Sequence, residues 1–435
     1  MPDIMKNVIE PRLLKGFRDF LPAEQSGRQV MLDCITRAFE VCGFAPLSTP
    51  AIEYADILLG KYGDEGEKLL YKFEDNGGRQ VALRYDLTVP LARVVAQYRD
   101  IPKPFRRYQL GTVWRAEKPA HGRFREFMQC DADIVGTASP LADADCIAAG
   151  IMGLQSLGLK KFEVRIGHRG VLNDILQQFG VDSPEQQTAV LRNLDRIDKS
   201  GRDAVVELLK EQGIAGAAAM VSAISGADTS FDKDNLPVVM SESGEMALTH
   251  LKGVLSALVS MGFGDVIKVD LSIARGLDYY TGTVYETTLS ELPSVGSIMS
   301  GGRYDCLLET YGMPEVPAVG ISIGVDRLFA ALVELGQAPQ AGAGPTAVVC
   351  MFGADLLDSA LGLVSVIRAA GVSCEPTVEP DAKLKKQLTN AVRRGAKYVI
   401  LLGEDEVRQG MVMVKNMTTG EQVSVARDEV AAVLK

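Results

Sequence analysis

No CxxC pair occurs in the 435 residues, and the seven cysteines, at 34, 42, 130, 146, 306, 350 and 374, fall into no zinc-like grouping. Their odd number excludes a simple disulfide framework, so they read as buried thiols of a reducing compartment. Histidine is equally scarce. His121, His168 and His250 are too scattered to suggest a metal cluster or a histidine-based triad, which weakens metal-activated water and Ser/His acyl transfer as chemistries. No stretch approaches about 18 uncharged apolar residues, and the opening MPDIMKNVIEPRLL lacks the apolar run of a signal peptide, so a cytoplasmic, membrane-free location is expected. Positive charge is short as well. A net charge of −10 and a pI near 5.1 argue against a general nucleic-acid coat protein, although a local patch can still hold a backbone. The deficit is uneven: residues 344–435 carry 11 Lys/Arg against 11 Asp/Glu, which places all of it upstream.

Apolar content is ample, at 47 % of residues, and the length suggests two or three domains. Residues 22–42 place Val30, Ile35, Ala38, Phe39 and Val41 near helical spacing, with Pro22 suited to a first turn. The following GFAPLSTPAIE has prolines at 46 and 50, which suit an edge or interface rather than a central strand. RRYQLGTVWRAE (106–117) and REFMQCDADIVG (125–136) then read as two extended segments joined by KPAHGRF. In the second, Phe127, Gln129, Asp131 and Asp133 share one parity and Met128, Cys130, Ala132 and Ile134 the other, the pattern of a half-buried strand with a polar working face. A hairpin of the two could set Arg115 over the same face as Gln129 and Asp133.

Further on, KFEVRIGH reads as a strand and VLNDILQQFG as a helix, and residues 181–258 form a helical insertion. Strand character resumes in VIKVDLSIARG, YYTGTVYETTL, GSIMSGG and PAVGISIG, the last running into the helix VDRLFAALVEL. GQAPQAGAGPT (336–346) is a linker by composition, and the strands and helices of 347–435 alternate as in a small α/β domain. The chain therefore reads as a large α+β body, 1–335, with a separate tail.

Four stretches stand apart from scaffold: RYDLTVP, WRAEKPAHGRFREFMQCDAD, ARGLDYYTG, and SGGRYDCL with VGISIGVDRL. Their arginines offer planar donor forks suited to phosphate or carboxylate, while Asp86, Thr88, Gln129 and Asp133 offer acceptors to a cationic or donor-rich group. None of them is an obvious nucleophile or general base. A reaction in which the protein orients and stabilises charge while the substrates bring both reactants, such as adenylation of a carboxylate by ATP, fits that inventory. Taken singly the motifs are weak, since an arginine beside a strand is commonly a surface residue and the pair at 301 and 302 commonly a turn.

Together and in order they are specific. RGLDYYTGTVYE and SGGRYD resemble the two signature sequences of the histidyl-tRNA synthetases, and FAPLSTPAIE, VWRAE with GRFREFMQCDADIVG, and GISIGVDRL resemble the three class II motifs. The resemblance spans essentially the whole chain. It implies a class II antiparallel sheet with flanking helices and the insertion, and a C-terminal anticodon-binding α/β domain. It also implies that Arg115 engages the α-phosphate of ATP, that Arg327 reaches the outer phosphates, that Arg123 lies near ATP, and that Arg275 sits by the reacting carboxylate. Asp86, Thr88 and Gln129 then hold the α-amino group of histidine, Asp133 and Tyr280 meet the imidazole nitrogens, and Tyr279 and Tyr304 line the pocket. Mg2+ comes with the ATP phosphates, and no protein metal site is implied. Asp86 and Asp133 stand where many bacterial members carry glutamate, and Ala120 stands at a glutamine position of the motif 2 loop.

The implied partners are L-histidine, ATP, tRNA(His) and a second copy of the chain. For tRNA, Lys383, Lys386, Arg393 and Lys397 of KLKKQLTNAVRRGAK are candidates, spaced near one helical face in a stretch with six basic and no acidic residues. The alternative is a non-catalytic, synthetase-like regulatory subunit of histidine biosynthesis. Such relatives usually lose signature residues and the tail domain, both of which this chain retains.

Overall fold

A computed structural model describes residues 9–59, 67–119, 122–194, 197–214, 216–225, 241–273, 280–313, 316–339, 342 and 344–435. The chain divides into two compact units. One is built on Met31–Ala338 with the segment before Phe20; the other is Pro339–Lys435 with Phe20–Val30.

The body is organised by an eight-stranded sheet. Its strands are β1 (Ala45–Pro46), β5 (Phe105–Trp114), β6 (Glu126–Val135), β7 (Phe162–His168), β8 (Ile267–Val269), β9 (Thr283–Leu289), β10 (Ser297–Arg303) and β11 (Ala318–Gly324), in the order β1-β5-β6-β11-β10-β9-β7-β8. The central pairs are antiparallel, and only the short edge strands β1 and β8 run parallel to their neighbours. A second sheet, β2 (Ile52–Tyr54), β4 (Gln80–Leu83) and β3 (Lys72–Glu74), lies in the order β2-β4-β3. The proline-bearing segment thus supplies an edge strand to each sheet, where a missing N–H breaks no central ladder.

One face of the large sheet is closed by helices Pro140–Ser156 and Glu242–Ser260, whose Ile147, Ile151, Leu154, Leu251, Val254 and Leu258 share a core with Cys130, Ala132 and Ile134 of β6. Helix Pro22–Val41 adds Met31, Leu32, Ile35 and Phe39. Ile35, Ala38 and Phe39 are buried as expected, but Val30 and Val41 are 38 % and 62 % exposed, and Met31 and Leu32 begin the buried stripe. Between β7 and β8 come helices Arg169–Gln178, Pro184–Leu194, Ile197–Ser200, Arg202–Glu211, Ala217–Ser225 and Glu242–Ser260.

The polar face of β6 is not half-exposed as its alternation suggested. Beyond Met128 every residue of the strand is buried, because a second cluster containing Tyr85, Val89, Leu91, Tyr304, Leu307 and Ala318, with Tyr280 packed against it, covers that side. The glycine pair at 301 and 302 keeps the strand character expected of GSIMSGG and is not a turn. It lies in mid-strand, and a Cβ on Gly301 would sit 2.7 Å from the Tyr285 ring on one face, while a Cβ on Gly302 would sit 2.9 Å from the Tyr280 ring on the other. Each missing side chain makes room for a tyrosine.

The tail unit has a five-stranded sheet, β12 (Ala347–Met351), β13 (Cys374–Pro376), β14 (Tyr398–Leu402), β15 (Met411–Asn416) and β16 (Gln422–Ala426), in the order β13-β12-β14-β15-β16. β12 pairs in parallel with β13 and β14, and an antiparallel hairpin completes the sheet. Helix Leu384–Arg393 ends before Gly395, whose φ of +74° stops it. Lys383 lies just before this helix and Lys397 beyond it, so the four basic candidates do not share one helical face as their spacing suggested; all four are exposed, and Lys386 pairs with Glu379 at 2.8 Å.

Candidate active site

A cavity of about 360 Å³ opens on the covered face of the large sheet. Its cationic end is built where three elements meet. Arg115 follows β5, its backbone N–H donating to the Arg125 carbonyl at 2.9 Å, and Arg123 lies on the connection to β6. Arg327 sits in the first turn of helix Val325–Glu334, directly after β11. The neighbouring Asp326 accepts the Met128 N–H at 2.7 Å, which ties this helix to β6.

All three guanidiniums line the cavity, with Glu117 and Glu286 among them. Arg115 donates through Nε to the Tyr85 carbonyl at 3.1 Å and lies over the rings of Tyr85 and Phe127, 4.2 and 5.1 Å from their centroids. Arg327 donates to the Ser297 carbonyl at 2.6 Å. Burial holds its pKa below the usual arginine range, with Arg123 and Arg115 adding to the depression and the two glutamates opposing it. A cluster of like charges that weakens its own members invites an anion.

Farther along β6 the cavity is lined by Gln129, and the strand behind it turns acidic. Gln129, Asp131 and Asp133 succeed one another on one face, about 7 Å apart along the strand. Opposite them on β5 stand Gly111, Gln109 and Arg107, and on β11 Gly324, Ser322 and Gly320. Gly320 has no room for a side chain, since a Cβ there would fall 1.9 Å from Asp133 Oδ1. Asp86, before helix Thr88–Gln97, accepts the N–H groups of Thr88 and Val89 on Oδ1 at 3.1 and 3.0 Å. Asp86, Thr88, Gln129 and Tyr280 all line the cavity.

Asp133 and Tyr304 do not. They lie buried off the cavity, the Tyr304 hydroxyl donating to Asp133 Oδ1 at 2.6 Å and Arg107 Nη2 standing 2.6 Å from Oδ2. Arg275 and Tyr279 lie outside the described residues. Sequence reasoning gives Arg107 no role and leaves Asp131 without one on the polar face of β6. Their sole sequence signal is their parity with Gln109 and Gln129. Burial pushes the Asp131 carboxyl up to about 7, with Asp133 and Asp86 adding and Arg107 opposing. Burial also raises Asp133, with Asp86 adding and Arg107 and the Tyr304 hydroxyl opposing, and burial beside these carboxylates raises the Tyr280 hydroxyl, keeping it a proton donor. Three carboxylates around one arginine favour a ligand that brings positive charge and N–H donors.

Among the described residues no three His, Cys, Asp or Glu side chains group as a metal site. Glu117 and Glu286 stand singly beside the arginines, which suits Mg2+ carried on phosphates, since that ion needs only one or two protein carboxylates.

An antiparallel sheet with a phosphate-suited arginine cluster beside a small acidic pocket, joined to a separate α/β unit, is the architecture of a class II aminoacyl-tRNA synthetase. Residues 16–328 match the family model described as histidyl-tRNA synthetase, and residues 346–435 match an anticodon binding domain. Curated relatives include the histidine--tRNA ligase of Rhodopirellula baltica, 40 % identical over 430 residues covering 96 % of both chains, and that of Wolinella succinogenes, 40 % identical over 436 residues covering 98 % of both. The crystal structure of histidyl-tRNA synthetase from Nostoc sp. PCC 7120 superposes with a TM-score of 0.87 at 32 % identity, covering 98 % of this chain and 99 % of that one. The chain belongs to the histidyl-tRNA synthetase family.

Proposed function

We propose that this cavity catalyses the ATP-dependent attachment of L-histidine to tRNA(His) through a histidyl-adenylate. The observation that carries the reading is the division of one cavity into a three-arginine end and an acid, amide and phenol end. A carboxylate oxygen of histidine attacks the α-phosphorus, the bond to the bridging oxygen breaks, and pyrophosphate leaves with the electron pair. Arg115 holds the α-phosphate, already oriented by Tyr85 and Phe127. Arg327 and Arg123 take the outer phosphates, and Arg275 stabilises charge at the reacting carboxylate. Mg2+, held mainly by the ATP phosphates, neutralises their charge when bound.

Asp86, Thr88 and Gln129 hold the ammonium group. Tyr280 and Tyr279 frame the imidazole, with Asp133, steadied by Tyr304 and Arg107, as the negative charge behind it. An imidazole that meets the buried Tyr280 hydroxyl leaves that group paired, which an apolar side chain would not. A ribose hydroxyl of the tRNA terminal adenosine then attacks the acyl carbon and AMP leaves.

Residues 1–335, with the helical insertion near 181–258, serve adenylation and transfer, and 347–435, beyond the 336–346 linker, contact the anticodon stem through Lys383, Lys386, Arg393 and Lys397. The working unit is a cytoplasmic homodimer. In the three-stranded sheet Tyr54, Val81 and Phe73 share a cross-strand row, and Tyr54 and Phe73 are 54 % and 43 % exposed, an apolar face that suits a second copy. Labelled histidine, ATP and tRNA(His) should yield alkali-labile histidyl-tRNA. Failure to charge any tRNA with histidine rejects the reading.

A further inference from the structure

Residues 15–18 do not line the cavity, yet they hold the two parts of its wall that carry Arg123 and Arg327. β5 and β6 pair as far as Trp114 and Glu126, and the connection beyond brings Arg123 and Phe124 to the cavity. Arg125 fastens that connection to the N-terminal segment. Its backbone N–H donates to the Gly16 carbonyl at 2.9 Å and its Nη1 to the Lys15 carbonyl at 3.3 Å, while its Nε donates to the Glu117 carbonyl at 3.0 Å. Glycine is required at 16, where φ is +89° and a Cβ would fall 2.9 Å from Arg125 Cδ and 3.0 Å from Pro119 Cγ. Phe17 meets the Tyr71 ring edge-on, with 6.4 Å between centroids. These contacts fix the backbone on which Arg18 stands. Its guanidinium lies 3.7 Å from the centroid of the Phe124 ring and pairs with Oδ1 of Asp326, whose Oδ2 accepts the Met128 N–H.

We infer that Arg18 is a positioning residue for the outer phosphates of ATP: it clamps the connection carrying Arg123 and Phe124 to the helix carrying Arg327, so that both cations are in place before ATP binds. This rests on the assignment of Arg123 and Arg327 to the outer phosphates made above. The clamp has a repulsion to overcome, since Arg123 and Arg115 both lower the Arg327 pKa and the three cations oppose one another until phosphate neutralises them. Arg18 adds a fourth guanidinium without worsening this, because the Asp326 carboxylate, 6 % exposed, balances its charge. Arginine also suits the place by shape. A planar guanidinium can lie on a ring and reach a carboxylate with its edge at the same time. Without Arg18, the Phe124 ring loses the group that ties it to Asp326, and ATP itself must order the connection, which weakens its binding by that cost.

The test measures equilibrium binding of ATP, AMP and L-histidine to the full chain, AMP lacking the outer phosphates. Arg18→Ala should weaken ATP roughly tenfold and leave AMP and histidine within about twofold. The Arg18 side chain is 26 % exposed, so its loss opens no core cavity and the variant should fold. Arg18→Lys can still pair with Asp326 and should recover part of the loss. In a chain already carrying Arg123→Ala and Arg327→Ala, adding Arg18→Ala should weaken ATP no further, because the groups it positions are gone. Equal losses for ATP and AMP, or an equal loss for histidine, overturn the clamp in favour of a general packing role. Arg18→Lys as damaging as Arg18→Ala overturns the ion pair as the link. Normal ATP binding in Arg18→Ala, with Arg327→Ala impaired, defeats the clamp alone. Normal ATP binding in both Arg123→Ala and Arg327→Ala defeats their assignment and the clamp with it.

Discussion

Replacing Arg107 with methionine should destabilise the body strongly and in a pH-dependent way. Arg107 is fully buried, its Nη2 lies 2.6 Å from Asp133 Oδ2, and it donates to the Leu87 carbonyl at 3.2 Å. Methionine fills much of the arginine stem and removes the charge, so Asp133 and Asp131 stay buried without their nearest cation. Removing one partner of such a pair costs about 3–5 kcal/mol. The sign with pH follows from the direction of the shifts. Arg107 lowers the pKa of both carboxyls against the rise due to burial, so without it both climb further. A carboxyl with a raised folded-state pKa holds a proton that the unfolded chain has released, and stability then increases as pH falls through the folded value. The loss should therefore be largest above the Asp131 value of about 7 and should shrink in more acidic buffer. Because the chain has two compact units, the body transition must be followed by calorimetry rather than as a single midpoint. A loss below about 1 kcal/mol that is the same at both ends of the pH range would refute the reasoning.

Arg275→Ala should slow single-turnover adenylate formation by a factor corresponding to about 2–4 kcal/mol while weakening histidine binding far less; a near-normal chemical step sinks its assignment. His168, whose pKa burial lowers from 6.5 to about 4 with His250 adding to the effect, should make stability fall as pH drops between those two values, where the unfolded chain takes up a proton that the folded one does not. His168→Asn can keep the cap that Nδ1 gives the Gly170 N–H, at 3.1 Å, and should flatten that slope by on the order of 3 kcal/mol; an unchanged slope places the titration elsewhere. Deleting 344–435 should spare histidine-dependent pyrophosphate exchange and cripple tRNA charging. Reversing Lys383, Lys386, Arg393 and Lys397 to Glu should reduce the salt slope of tRNA binding by about one unit per lost phosphate contact; equal slopes reject this set of contacts.

Elements with a strong local signal were legible. The proline-marked edge strands, the β5/β6 pairing that sets Arg115 over the face of Gln129, and the strand-to-helix passage into Arg327 all follow from periodicity and turn chemistry. The convergence of Arg115, Arg123 and Arg327 did not follow from spacing, because it depends on which strands become neighbours; motif resemblance supplied it. Burial of Asp131 and Asp133 was hidden for a related reason, since alternation records that one face differs but not that Tyr304 and Leu307 will cover it. Helical phase was the weakest inference. In helix Pro22–Val41 the expected Ile35, Ala38 and Phe39 are buried, but the stripe begins at Met31 and Leu32 rather than Val30 and leaves Val41 exposed, and the stop at Gly395 took Lys397 off its helix.

The most direct test of the account is exchange of labelled pyrophosphate into ATP, measured without tRNA in the presence and absence of histidine. The account predicts exchange that requires histidine and falls roughly a hundredfold or more in Arg115→Ala and Arg327→Ala, while the dissociation constant for histidine stays nearly unchanged in both. A wild-type chain that binds histidine tightly yet supports no exchange would contradict it, and would leave a non-catalytic, histidine-sensing role in its place.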